Sequence, residues 1–348
     1  MENRKKVRVL VVDDSVVARN LIINGLSVHP RIEIVGFAIN TIDAKHKIPT
    51  LNPDVITMDV EMPGQSGIEF LQEYLPSHPL PVVLVSSLNL KVFDALSAGA
   101  VDFVRKPFAP GGNDVFITTL IQKVLTAASA NIRARAQAKP LAEPAARPVS
   151  LGEIAGMNDV IIGLGASTGG TEATLEVMKR LPADIPPMVI VQHMPPGFTQ
   201  MYAERLNRLC QMEVREAKNG DVLQRGLAYV APADFQCRVV RIGGKYTLAC
   251  TPGEKVSGHR PSVDALFQSM SETVKCKMVG IIMTGMGQDG AAGLLAMRQH
   301  GAYTLGQNKE SCVVYGMPMV ANDIGAVCVQ GDPAGIAAGL LRHLKSLK

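Results

Sequence analysis

Between Lys6 and about Ala128 five short apolar runs recur: VRVLVV, IEIVGFA, DVITMDV, PVVLVSS and VDFVRKP. Amphipathic stretches of helical length separate them. Strands alternating with helices in this way specify a parallel sheet covered on both faces. The pattern breaks at SANIRARAQAKPLAEPAARPVS, residues 129–150, which is rich in Ala, Arg and Pro and almost free of large apolar residues. That composition reads as a linker, continuing the preceding helix until its prolines stop it. Alternation resumes near Asp159, with strand-like runs VIIGLG, MVIVQH, LAYVAP, CRVVRIGG, YTLAC, MVGIIMTG and AVCVQ. The stretch 221–251 reads as consecutive strands joined by hairpin turns, one at Gly243-Gly244. The expected architecture is therefore α/β in both halves. A five-stranded doubly wound, flavodoxin-like domain spans 1–128, a flexible linker spans 129–153, and a mostly parallel α/β domain with an antiparallel hairpin region spans 154–348.

A chain of 348 residues accommodates two such domains. No stretch approaches the roughly 18–20 apolar residues of a membrane span. The opening MENRKKVRVLVVDDS imitates a signal peptide, but its apolar run ends in two aspartates without a small-residue cleavage site, so it reads as a buried first strand. A cytoplasmic location without direct membrane insertion is expected. None of the six cysteines forms a C-x-x-C pair, so they read as reduced, packed side chains rather than zinc ligands. A dispersed formal charge of +4 gives no footprint for nucleic acid.

In an open α/β sheet, ligands bind beyond the carboxyl ends of the strands. In the first domain those ends carry Asp13 and Asp14, then Asp59, Ser86 and Lys106. Three converging carboxylates repel one another unless a cation neutralises them, and Mg²⁺ with oxygen ligands suits that role. A carboxylate in such a setting can attack a phosphoryl group, with Lys106 and the Ser86 hydroxyl holding its oxygens. Each aspartate taken alone is more often a helix cap or turn residue than a ligand, Asp14 before SVVARNLIINGL for example. The joint pattern favours a site. VVDDS, TMDVEMPGQSG, LVSS and VRKPF resemble the receiver domain of two-component response regulators over about residues 6–126. The resemblance implies Asp59 as the phosphorylated residue, Asp13, Asp14, Asp59 and the Val60 carbonyl around Mg²⁺, and Phe103 as a switch residue. Ser86 stands where threonine is commoner, but keeps the hydroxyl.

In the second domain, GLGASTGG follows a strand and opens a helix. It fits a loose dinucleotide-binding turn, but the next strand ends in His193 rather than in an acidic residue, and no lysine closes the loop as a phosphate-binding loop requires. It also satisfies G-x-S-x-G, with Ser167 lifted clear of the sheet edge and a helix N-terminus behind it. A serine needs a base, and His193 ends the neighbouring strand. The base needs an orienting carboxylate, and Asp289 closes the glycine-rich loop of IIMTGMGQDGAAGL. Asp289 could equally cap the helix that follows it.

IGLGASTGGTEA, VQHMPPGFT, YVAPAD, SGHRPSVDALF and IIMTGMGQDGAAGL resemble the catalytic domain of the chemotaxis methylesterase family. That resemblance implies Ser167 as nucleophile, His193 as general base and acid, and Asp289 as its partner. It further implies the Met286 amide as an oxyanion donor, Thr168 beside it, and His259 and Arg260 lining the cleft. The implied reaction is hydrolysis of glutamate methyl esters on methyl-accepting chemotaxis receptors, with glutamine deamidation as a second activity and no cofactor for the esterase. The implied phosphodonor is the histidine kinase of that pathway, and phosphorylation of Asp59 would free a cleft covered by the receiver. The rival expectation is a response regulator whose C-terminal half only binds a nucleotide or a protein.

Overall fold

The computed structural model describes residues 5–87, 91–107, 112–132 and 160–347. The chain divides into two compact units, residues 1–139 and 140–348. Of the linker expected over 129–153, residues 133–153 lie outside the described ones, as do residues 154–159.

In the first unit, β1 (Val7–Val12), β2 (Ile32–Ala38), β3 (Val55–Met58), β4 (Val82–Ser86) and β5 (Asp102–Arg105) form one parallel sheet in the order β2-β1-β3-β4-β5. β3 and β4 are buried along their whole length, the mark of a sheet covered on both faces. The order turns outward on either side of β1, which opens a crevice beyond the carboxyl ends of β1 and β3. Helix starts near that edge are set by short polar residues. Ser15 caps Val16–Ser27, and Ser66 with Glu69 forms a capping box on Gly67–Tyr74. Gly67 has to be glycine: a Cβ there would lie 2.4 Å from the Asp59 carbonyl oxygen.

The second unit is built on β6 (Val160–Ala166), β7 (Met188–Gln192), β8 (Glu213–Glu216), β9 (Leu227–Val230), β10 (Gln236–Ile242), β11 (Lys245–Thr251), β12 (Lys277–Ile282), β13 (Tyr303–Gln307) and β14 (Val329–Gly331). Seven of these make a parallel sheet in the order β14-β13-β12-β6-β7-β9-β8. The order diverges between β12 and β6, so this sheet too has a switch point, with β7 next to it.

Two details differ from the sequence expectation. LAYV belongs to the parallel sheet as β9, and only β10 and β11 form a hairpin, turning at Gly243 and Gly244 with φ of 57° and 81°. The burial explains this: all four residues of β9 are buried, whereas the hairpin strands have exposed positions. β8 and β13 were not anticipated, because EVRE is a half-exposed edge segment and YTLGQ contains no sustained apolar run. The hairpin packs on the helix Val263–Thr273 through Cys237, Val239, Leu248 and Cys250, all within the buried core. Among the described residues no helix is long and apolar enough to cross a membrane.

Candidate functional site

Ser167, His193 and Asp289 follow three adjacent strands, β6, β7 and β12. Ser167 is buried, and its backbone is tied on both sides. Its N–H donates to the Thr284 carbonyl at 3.0 Å, and its carbonyl accepts from Gly170 N at 2.7 Å and Gln192 Nε2 at 2.9 Å. The turn closes on Gly169, whose φ of 77° suits glycine. The helix Gly170–Met178 begins there without a side-chain cap, its Gly170 amide taken by the Ser167 carbonyl, so the positive end of its dipole lies beside Ser167.

His193 N donates to the Ala166 carbonyl at 3.1 Å, which sets the histidine beside the nucleophile turn. Its Nε2 lies 2.8 Å from Asp289 Oδ2. An ionised carboxylate can only accept, so the shared proton sits on Nε2 and the lone pair on Nδ1. Nδ1 is buried and has no hydrogen-bonding partner among the described residues. This ring therefore presents a held, unprotonated nitrogen, which is what a general base needs.

Asp289 does not cap the helix after it, Ala291–Gln299, which starts at Gly290 with no side-chain cap. Instead it reaches the start of Val263–Thr273. Its Oδ1 accepts from Ser262 Oγ at 2.7 Å and Asp264 N at 3.0 Å, and Oδ2 also accepts from Val263 N at 2.8 Å. Burial alone would raise its pKa. The His193 hydrogen bond, the charge the ring carries once Nδ1 is protonated, the Asp264 amide and the Ser262 hydroxyl outweigh burial and hold the carboxyl below its ordinary value.

The remaining expected residues surround this trio. The His259 ring stacks on His193 with centroids 3.8 Å apart and planes at 9°. Arg260 donates from Nη1 to the Gly253 carbonyl at 2.7 Å and pairs with Asp234 at 3.7 Å. Thr168 is buried, and its carbonyl accepts from Thr284 Oγ1 at 3.0 Å. Met286 is 53% exposed on the loop after β12. Its neighbour Gly285 packs against Ser167, since a Cβ there would lie 2.7 Å from Ser167 Cβ and 2.3 Å from Met317 Sδ.

Sequence reasoning missed Gln192, Ser262, Thr284 and Gly285. Ser262 was legible as a helix cap before an apolar run, but its second bond, to Asp289, spans 27 positions and leaves no local mark.

In the first unit, Lys106 Nζ lies 2.6 Å from Asp59 Oδ2 and 2.9 Å from Asp13 Oδ2. One carboxylate oxygen from each of Asp13, Asp14 and Asp59 falls within 4.8 Å of the others. Burial raises the Asp59 pKa; Lys106 lowers it and Asp13 raises it again, and the balance stays above the ordinary value. Burial would lower the Lys106 pKa, but both carboxylates outweigh burial and raise it. Three carboxylates against one ammonium leave surplus negative charge, and their hard oxygens fit Mg²⁺. Ser86 Oγ, at the end of β4, is buried with no hydrogen-bonding partner among the described residues. Val60 is buried and its carbonyl accepts from Gly67 N at 3.1 Å. Phe103 is buried in β5. Asp14 is exposed and does not cap the first helix, because Ser15 does.

Both halves of the chain match known families. Residues 162–340 match the CheB methylesterase family and residues 9–112 the response regulator receiver domain. A protein-glutamate methylesterase/protein-glutamine glutaminase of Syntrophomonas wolfei is 47% identical over 93% of both chains. The protein so named in Escherichia coli K12 is 43% identical over 98% of both. The crystal structure of the Thermotoga maritima CheB methylesterase catalytic domain superposes with a TM-score of 0.51 at 34% identity, covering 53% of this chain and 97% of that one.

Proposed function

The chain belongs to the CheB methylesterase family, with a receiver domain ahead of the catalytic domain, and we propose that Ser167, His193 and Asp289 carry its hydrolysis of protein-glutamate methyl esters. Ser167 Oγ attacks the γ-carbonyl carbon of the ester as His193 Nδ1 takes its proton. Asp289 holds the Nε2 proton and stabilises the imidazolium that forms. The positive end of the Gly170–Met178 helix dipole and the Met286 amide stabilise the oxyanion. His193 then returns the proton to the departing methoxide, which leaves as methanol. Water, deprotonated by the same Nδ1, cleaves the acyl-enzyme. With a glutamine side chain ammonia leaves instead of methanol, and the same groups give the glutaminase reaction.

The substrates are methyl-accepting chemotaxis receptors, and the phosphodonor is the histidine kinase of that pathway. Asp59 is the phosphoryl acceptor, Lys106 and Ser86 contact the phosphoryl oxygens, and Phe103 reports the change. Asp13, Asp14, Asp59 and the Val60 carbonyl would hold Mg²⁺, which when bound offsets the charge of carboxylates and phosphoryl group. Phosphorylation raises the esterase activity.

One observation supports the catalytic reading most. His193 offers Asp289 one nitrogen and keeps the other buried, with no hydrogen-bonding partner among the described residues, beside the serine turn. The test is methanol release from methylated receptor membranes, with and without acetyl phosphate. Ser167→Ala should abolish release while keeping the fold. Release persisting in that variant would overturn the assignment.

A further inference from the structure

Cys237 and Cys250 face each other across β10 and β11, with sulfurs 3.4 Å apart. The directions of the backbone amides identify their register. Cys250 N donates outward to Asn219 Oδ1 at 3.1 Å, and two pairs of positions further along, Val239 N and Leu248 N donate to Ser269 Oγ and the Asp221 carbonyl. Cys237 and Cys250 thus occupy a non-hydrogen-bonded antiparallel pair, where Cα atoms stand about 4.5 Å apart. Disulfides span Cα separations of roughly 4.4–6.8 Å, so this pair can be bridged.

We propose that Cys237 and Cys250 are a reversible oxidation site that forms an intramolecular disulfide with hydroperoxides and slows the esterase. One thiol sulfur attacks a peroxide oxygen, forming an S–O bond as the O–O bond breaks, and its proton leaves with the departing hydroxide as water. The second sulfur attacks the sulfenic sulfur, forming S–S and expelling hydroxide, which takes the remaining thiol proton. Two thiols and one hydrogen peroxide give one disulfide and two waters. The hydrogen bond with Cys250 and burial keep the Cys237 thiol well above its ordinary pKa, so oxidation is slow and the reduced form is the resting state.

The link to the active site is Gln236, next to Cys237 and fully buried. Its Nε2 donates to the Glu254 and His259 carbonyls at 3.0 and 2.9 Å, and its Oε1 accepts from Ser262 N at 3.0 Å. His259 stacks on His193, and Ser262 holds Asp289. Closing a disulfide brings the sulfurs from 3.4 Å to about 2.05 Å and shifts the strand that carries Gln236. This coupling rests on the His193–Asp289 reading of the site.

The test treats the reduced full-length protein with hydrogen peroxide, alkylates the remaining thiols, and follows both cysteines by peptide mass spectrometry alongside methanol release. A Cys237–Cys250 cross-link should form, release should fall about tenfold, and dithiothreitol should restore it. Cys250→Ala should keep the reduced rate and lose the response; should it fold poorly, reversal by dithiothreitol in the unaltered protein decides. Both cysteines still alkylating after the exposed Cys328 is oxidised would overturn the proposal. A cross-link that leaves the rate unchanged would overturn its functional half. Absence of turnover in the reduced protein would count against the catalytic triad alone, because the cross-link is read by mass.

Discussion

Replacing Asp289 with asparagine probes the catalytic site at the point where the structure is most specific. The carboxylate accepts four bonds: from His193 and Val263 N on one oxygen, and from Ser262 Oγ and Asp264 N on the other. An amide has one acceptor oxygen and one donor nitrogen. If its NH₂ takes the Oδ2 position, it meets the Val263 N–H and forces the His193 proton onto Nδ1, which removes the base. If it takes the Oδ1 position, it meets the Asp264 N–H, a donor that cannot turn away. Loss of the correct imidazole tautomer costs about 10³–10⁴ in kcat, or roughly 4 to 5.5 kcal/mol of transition-state stabilisation. One unsatisfied buried amide costs a further 1–3 kcal/mol or so of folding stability. The assay is methanol release over pH 6–9 paired with denaturant unfolding. Asp289→Asn retaining turnover within about tenfold of the unaltered enzyme, with its fold intact, would refute the orienting role. The pH dependence has a definite sign. The folded Asp289 pKa lies below its unfolded value, so its stabilisation is complete above the unfolded pKa and is lost as pH falls through the folded one. That window lies on the acid side of about pH 4, the ordinary carboxylate range, and should vanish in the asparagine variant.

Three further outcomes follow from other contacts. Gly285→Ala should lower turnover about a hundredfold, because its methyl group would lie 2.7 Å from Ser167 Cβ and displace the nucleophile; wild-type kinetics would show that the loop yields freely. Ser86→Ala should leave thermal stability unchanged or raise it by about 1 kcal/mol, since the hydroxyl has no partner to lose among the described residues, yet weaken activation by acetyl phosphate. Millimolar Mg²⁺ should raise the melting temperature of the unphosphorylated protein, and Asp13→Asn should abolish the rise; an equal rise in the variant would place the ion elsewhere.

Much of the fold was legible because period and length separate strands from helices, and because loops after parallel strands share one edge. That rule alone brought Asp13, Asp59 and Lys106 to one point, and Ser167, His193 and Asp289 to adjacent strand ends. What stayed hidden depends on contacts between distant segments. Asp289 reads locally as partner of His193 or cap of its own helix, yet it also braces a helix that begins 26 residues earlier, at Val263. Gly285 reads locally as one of several loop glycines, and only the close approach of Ser167 explains it. The hairpin was misjudged in extent because LAYV carries no mark of which neighbour it pairs with, although its burial on both faces suits a central strand.

A serine-directed alkyl fluorophosphonate, applied to the full-length protein and located by peptide mass spectrometry, asks whether one hydroxyl activated by one imidazole performs the hydrolysis. A single adduct on Ser167, rising in step with the loss of methanol release and absent in His193→Ala, is the predicted result. Undiminished turnover in protein fully labelled at Ser167 would contradict it.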